Sequence, residues 1–324
     1  VKVAELSGKF PQVDCNAVTA AQALVDSLSS ATVLVIDGLA LPAFKTLLPT
    51  KQGNPVIGFI HHPLSLETGL TQNQASDLAQ LEADLWASLD GVICASPSTA
   101  RFVVASGVEI KRVQVASPGV ELSSSILADL PTGTGKDELR LLCIATVTQR
   151  KGHIVLANAL AELRQYPWTL DCYGSLERDS ATVSSLFRRI QELELIDRIR
   201  FNGEQTSSRL FKAYTEADLF VLPSYHEGYG MVLTEAISFG LPIVSTSVGA
   251  IPETVPAAAS ILVPPGDVHA LAVALRELLE DRAKLNNMHK AALEARLSLV
   301  SWPDAIDRWY EALNQCLSLG RVAV

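Results

Sequence analysis

The stretch Ala217-Asp218-Leu219-Phe220-Val221-Leu222-Pro223-Ser224-Tyr225-His226-Glu227-Gly228-Tyr229-Gly230-Met231-Val232-Leu233-Thr234-Glu235-Ala236-Ile237-Ser238-Phe239-Gly240 decides how this chain folds. Residues 218–224 are an apolar run that reads as a buried strand closed by a breaker. Residues 236–240 read as a helix stopped by glycine. Glu227 therefore lies in the loop before a helix, and Glu235, eight positions on, lies inside it. Gly228 and Gly230 leave the backbone between them bare, so a ligand can reach the unpaired N–H groups of the first turn.

That layout is an anion site with a hydroxyl-binding carboxylate on either side. Either glutamate alone would be read as a partner for the helix macrodipole or as a solvated charge. The pair around glycines, directly after a fully apolar strand, favours a ligand. A sugar joined to a nucleoside through two phosphates has the matching shape.

Outward from this unit, strand-like and helical runs alternate along almost the whole chain, the signature of parallel α/β architecture. Before it, residues 31–36, 55–60, 91–95 and 112–116 read as strands, with helices at 73–89 and 97–105. A weak zone around Glu121 and the run Leu130-Pro131-Thr132-Gly133-Thr134-Gly135-Lys136 is the linker candidate. Strands follow at 139–145, 169–173, 199–201, 242–246 and 260–263, and helices at 153–163, 181–193, 207–217, 270–279 and 282–298. The last helix, 302–317, carries Trp302, Ile306, Trp309, Tyr310 and Leu313 at helical spacing and is expected to pack with them. The predicted layout is two doubly wound domains facing a central cleft: a first domain at 1–121, a linker at 122–137, a second domain at 138–300 and a crossing-back helix at 301–324.

The chain has 324 residues, 48% of them hydrophobic, which suits two packed domains. A formal charge of −9 and no basic stripe argue against nucleic acid as a partner. The five cysteines, Cys15, Cys94, Cys143, Cys172 and Cys316, show no C-x-x-C or Cys/His cluster, and four of them lie in apolar or helical runs, which fits buried thiols in a reducing compartment. No apolar run reaches the length of a membrane span, so the expectation is a soluble cytoplasmic chain.

Residues 139–279 resemble the second domain of retaining GT-B glycosyltransferases, glycosyltransferase family four. The resemblance rests on Arg150-Lys151-Gly152, residues 217–224, Glu227 with Glu235, Gly240-Leu241-Pro242-Ile243-Val244, the Gly249 and Pro252-Glu253 turn, and Pro264-Pro265-Gly266-Asp267. It is thinner in the first domain, where His61-His62-Pro63, Ala95-Ser96-Pro97-Ser98 and Pro118-Gly119-Val120 fall at comparable places.

The resemblance implies that Lys151 contacts a donor diphosphate as a point charge. Glu227 would bind sugar hydroxyls, the backbone of Gly228, Tyr229, Gly230, Met231 and Val232 would hold sugar and phosphate, and Glu235 would take the ribose hydroxyls. His61, first after its strand and so preferred to His62, would face the sugar from the other domain. His61, Lys151 and Glu227 are the catalytic candidates. The family's Gly-Arg after the first strand of this domain is replaced by Ala145-Thr146, leaving Thr146 or Arg150 to meet the phosphates. Ser96, Ser98 and Thr99 read as a helix cap.

The implied activity is transfer of a hexose from a UDP- or GDP-sugar to a glycan or lipid-linked acceptor. No cofactor and no metal are implied, since a lysine and a helix N-terminus can stabilise the leaving diphosphate. A glycosidase would need its two carboxylates to flank the scissile bond instead. The residues Val1-Lys2-Val3-Ala4-Glu5-Leu6 read as the second strand of a shortened first domain that lacks the family's opening strand. A partner chain over that domain and peripheral membrane contact therefore join donor and acceptor as expected partners. The alternative is a catalytically weak subunit of this fold that binds nucleotide sugar or a partner glycosyltransferase. An epimerase on the same architecture fits the Glu227/Glu235 arrangement less well.

Overall fold

The computed structural model describes residues 1–10, 12–29, 32–48, 53–122 and 138–320. The chain divides into two compact units: Val1–Pro118 with Pro303–Val324, and Gly119–Trp302. Most of the expected linker, residues 123–137, lies outside the described residues.

In the first unit α1 (Cys15–Asp26), β1 (Leu34–Asp37), β2 (Val56–Ile60), α2 (Gln72–Ala87), β3 (Gly91–Cys94), α3 (Pro97–Ala105) and β4 (Val113–Val115) follow one another. The strands form a parallel sheet in the order β1-β2-β3-β4. Sequence explains the helix starts. Thr71 and Gln74 make a reciprocal capping box on α2, and Ser96 Oγ accepts the Thr99 N–H ahead of Pro97 on α3. The segment Val1–Leu6 is not a strand. It is almost fully exposed and pairs with no described strand, so its alternating valines had no neighbour to make a ladder with.

The second unit holds β5 (Leu139–Ile144), α4 (His153–Ala161), β6 (Trp168–Tyr173), α5 (Ser180–Glu192), β7 (Ile199–Phe201), α6 (Ser207–Glu216), β8 (Leu219–Leu222), α7 (Met231–Ser238), β9 (Ile243–Thr246), α8 (Ile251–Thr254), β10 (Ser260–Val263), α9 (Val268–Glu280) and α10 (Arg282–Arg296). Its six parallel strands run β10-β9-β8-β5-β6-β7. All four residues of β8 and all four of β9 are buried, as the unbroken apolar runs of a covered parallel sheet require. The order reverses between β5 and β8: the chain moves outward through β6 and β7, then returns to build β8, β9 and β10. In open α/β sheets such a switch point, at the carboxyl ends of the strands, is where ligands bind.

The final helix, α11 (Trp302–Gly320), joins the first unit from Pro303 onward. Ala312 and Cys316 share a small core with Ile57, Ile93 and Ala116, and a Cβ on Gly91 would meet Cys316 Cβ at 2.6 Å. The expected packing stripe is only partly realised. Trp309 is half-buried, edge-on to Phe59 at 6.2 Å, but Trp302, Ile306 and Tyr310 are 41%, 51% and 46% exposed. Helical periodicity marked two faces of α11, and the small residues Ala312 and Cys316 took the inner one.

Candidate functional site

Both loops at the β5/β8 switch point carry site residues. The β5 loop runs through Thr146 to Arg150-Lys151-Gly152, and the β8 loop runs from Pro223 to Gly230. Gly152 sits at φ +70° as the N-cap of α4, where a Cβ would lie 2.1 Å from the Pro223 carbonyl oxygen. Only glycine lets the two loops approach this closely. The Tyr225 N–H donates to the Arg150 carbonyl at 2.7 Å, a second tie between them.

These ties bring Lys151 and Glu227 together. Lys151 Nζ donates to Glu227 Oε1 at 2.6 Å, and both side chains are largely buried. Ser224, fully buried, donates its hydroxyl to the same oxygen at 2.7 Å. Arg150 Nη1 lies 3.6 Å from Glu227 Oε2 and donates to the His226 carbonyl at 3.0 Å. Burial pushes the Glu227 carboxyl up, but Lys151, Ser224 and Arg150 outweigh it and hold the group below its ordinary value. The glutamate is thus a fixed anion between two cations.

The loop is latched from the next turn. The Ala250 N–H donates to the Glu227 carbonyl at 2.9 Å, and Thr254 Oγ1 donates to the Tyr229 carbonyl at 2.8 Å. A Cβ on Gly249 would lie 2.2 Å from the Glu227 carbonyl oxygen, which accounts for glycine there. Thr246 Oγ1 donates to the Ser224 carbonyl at 2.6 Å. Gly230, at φ +88°, is the N-cap of α7, so the N–H groups of Met231 and Val232 open that helix beside the loop. Glu235, half-buried on α7, accepts a hydrogen bond from the Tyr214 hydroxyl at 2.7 Å.

Thr146 is half-buried at the end of β5. A Cβ on Gly174 would meet the Thr146 nitrogen at 2.8 Å, so the β5 and β6 loops also touch at this position. The predicted residues Thr146, Arg150, Lys151, Glu227, Gly228–Val232 and Glu235 all belong to the second unit.

His61 belongs to the first. Its Nε2 lies 2.9 Å from Asp37 Oδ2, and its ring tilts against Phe59 at a centroid distance of 4.5 Å. Burial raises the Asp37 carboxyl, but the His61 hydrogen bond and the Leu39 N–H bring it below its ordinary value. His62 Nε2 lies 3.3 Å from Glu67 Oε2. The segment after the histidines is anchored from α2: Glu82 accepts Leu64 N–H at 2.6 Å, Ser65 N–H at 3.1 Å and Ser65 Oγ–H at 2.7 Å.

Sequence reasoning missed Asp37, Glu82, Ser224 and Tyr214. Asp37 was within reach of it, because a carboxylate ending one strand beside a histidine ending its neighbour is a readable pair. Among the described residues no group of three or more metal-ligating side chains forms. No helix among them is long and apolar enough to cross a membrane.

Residues 131–295 match the family model described as Glycosyl transferases group 1. The chain is 27% identical over 284 residues to the D-inositol 3-phosphate glycosyltransferase of Nocardia farcinica, covering 84% of this chain and 60% of that protein. It spans 19%, 40% and 60% of three curated relatives it matches, less than two thirds of each. Among solved structures, the sucrose-phosphate synthase of Thermosynechococcus elongatus superposes with a TM-score of 0.78 at 24% identity, over 94% of this chain and 78% of that one. The Anabaena Alr3699/HepE protein, in complex with UDP and glucose, does so with 0.75 at 19% identity, over 92% and 81%. The two parallel-sheet domains are those of the GT-B fold.

Proposed function

The chain belongs to the glycosyl transferases group 1 family, and on that premise we propose that it is a retaining hexosyltransferase. It takes the hexose from a UDP- or GDP-sugar and places it on a glycan or lipid-linked acceptor, without a metal. The observation that carries this reading is the Lys151–Glu227 pair, flanked by Arg150 and the start of α7, at the carboxyl ends of β5 and β8. A cation, an anion and a helix N-terminus side by side match a sugar diphosphate: hydroxyls to Glu227, phosphates to Lys151, Arg150, Thr146 and the backbone of residues 228–232. The Anabaena neighbour's complex with UDP and glucose supports a donor of this class.

In the reaction, the bond between the anomeric carbon and the terminal phosphate oxygen breaks, and its electron pair stays on that oxygen. Lys151 and the first N–H groups of α7 stabilise the growing charge, which removes the need for a metal. The acceptor hydroxyl oxygen attacks the face that the phosphate leaves, and its proton passes to the departing phosphate oxygen. Glu227 binds and orients the sugar; it is already held by Ser224 and Lys151 and forms no bond to carbon. His61, held by Asp37, is the catalytic candidate of the first unit.

The test is to incubate the purified chain with UDP- and GDP-sugars and a panel of glycan and lipid-linked acceptors, following free nucleotide and labelled product. Turnover that survives chelator, yields the donor's anomeric configuration and falls about a hundredfold in Lys151→Ala supports the reading. Tight nucleotide binding with no turnover on any acceptor would replace it with that of a binding subunit.

A further inference from the structure

We propose that Tyr214 is a positioning residue for the nucleoside end of the donor, fixing the Glu235 carboxylate so that one of its oxygens is presented to the ribose hydroxyls. The proposal rests on the nucleotide-sugar reading above and goes one layer beneath it. The Tyr214 hydroxyl donates to Glu235 Oε2 at 2.7 Å and lies 3.5 Å from the Val232 carbonyl. Its ring is 3% exposed and cannot swing away. It stacks on Phe239 at 4.8 Å and 11°, and on Phe220 at 6.1 Å and 25°. The clamp therefore joins α6, β8 and the end of α7, all rigid parts of one core.

The physical consequence concerns entropy and valence. A glutamate on a helix face has several rotatable bonds, and freezing them on a ligand opposes binding. With Oε2 already held by a buried phenol, that ordering is done before the ligand arrives. The phenol stays a donor throughout, because burial and then the Glu235 charge push its ionisation well above the ordinary tyrosine value. Oε1 is left as the acceptor for a ribose hydroxyl.

Tyr214→Phe keeps the stacked ring and deletes only the hydroxyl, so it separates positioning from packing. Binding of UDP and GDP, and of their 2′,3′-dideoxy analogues, is measured by calorimetry on the full chain for wild type, Tyr214→Phe and Glu235→Gln. The expected result is a loss of about three- to tenfold for the ribonucleotides in Tyr214→Phe, the net size of one ordinary hydrogen bond. The dideoxy analogues should be unaffected, so the preference for ribose shrinks toward that of Glu235→Gln. Equal weakening of both ligand classes, or of neither, would overturn the proposal while leaving the ribose role of Glu235 intact. A wild type with no preference for ribose, unchanged by Glu235→Gln, would overturn that role and the proposal with it.

Discussion

Lys151 Nζ and Glu227 Oε1 stand 2.6 Å apart with both side chains largely buried, so each charge of the site is neutralised by the other before any ligand enters. On the proposed reading, a donor parts them by offering hydroxyls to the carboxylate and phosphate to the ammonium. Lys151→Ala should therefore lower kcat about a hundredfold, the scale of losing one preorganised charge-stabilising group. Nucleoside diphosphate affinity, read by thermal shift, should fall alongside it. Unchanged kcat in that variant would remove Lys151 from the chemistry.

The same pair predicts an acid limb in stability. Glu227 is held below its ordinary value of 4.5, so the stability it contributes is fully present above 4.5 and is lost as pH falls through the folded-state value. Glu227→Gln should flatten the pH dependence of Tm below 4.5 relative to wild type. Parallel curves for the two proteins would contradict the ion pair.

His61 and Asp37 form the corresponding pair in the first unit. Asp37→Asn keeps the size of the side chain but weakens the bond that orients the ring. Both groups are about half exposed, so water competes and the loss in transfer rate should be modest, about two- to fivefold. Donor affinity measured with the nucleotide alone should not move.

Gly152→Ala should damage fold and site together. The new Cβ would fall 2.1 Å from the Pro223 carbonyl oxygen, on a backbone at φ +70°. Left-handed strain alone costs about 1–2 kcal/mol, and the clash forces the two loops apart. Denaturant unfolding should show a loss above that range, with nucleotide affinity weakened as well.

Glu82→Ala leaves Leu64 N–H and Ser65 N–H without their buried acceptor. Each orphaned donor costs about 1–3 kcal/mol, so unfolding free energy should drop by roughly 2–6 kcal/mol. Hydrogen exchange should show the segment 61–67 opening more often, which would separate a local anchor from a general core defect.

What the sequence displayed and what it concealed follow from the range of each interaction. The strand before Glu227, the presence of a helix around Glu235 and the loop at Lys151 were legible, because each is set by residues a few positions apart, although α7 begins at Met231, ahead of the expected 236–240. Tyr214, Ser224 and Asp37 were not singled out. Their partners are fixed by helix packing, by the curl of one loop and by the β1–β2 register, where Asp37 falls opposite Phe59. The helix α1 went unread although Asp14 caps it at the Ala17 N–H. Its start is written in one aspartate, and its alanine-rich face buries only Ala17 and Ala21. Val1–Leu6 failed the other way: the alternation was there, but a strand exists only where a neighbour offers a ladder.

The helix α11 closes the core of the first unit with Ala312 and Cys316, although nearly two hundred residues of the second unit lie between them and β4. During synthesis this inverts the usual order, in which the earlier of two domains is finished first. Gly119–Trp302 is contiguous and can become native as soon as it clears the ribosome, while Val1–Pro118 waits, with Ile57 and Ile93 lacking their cover. Of the two units, the one that starts earlier in this sequence is completed later.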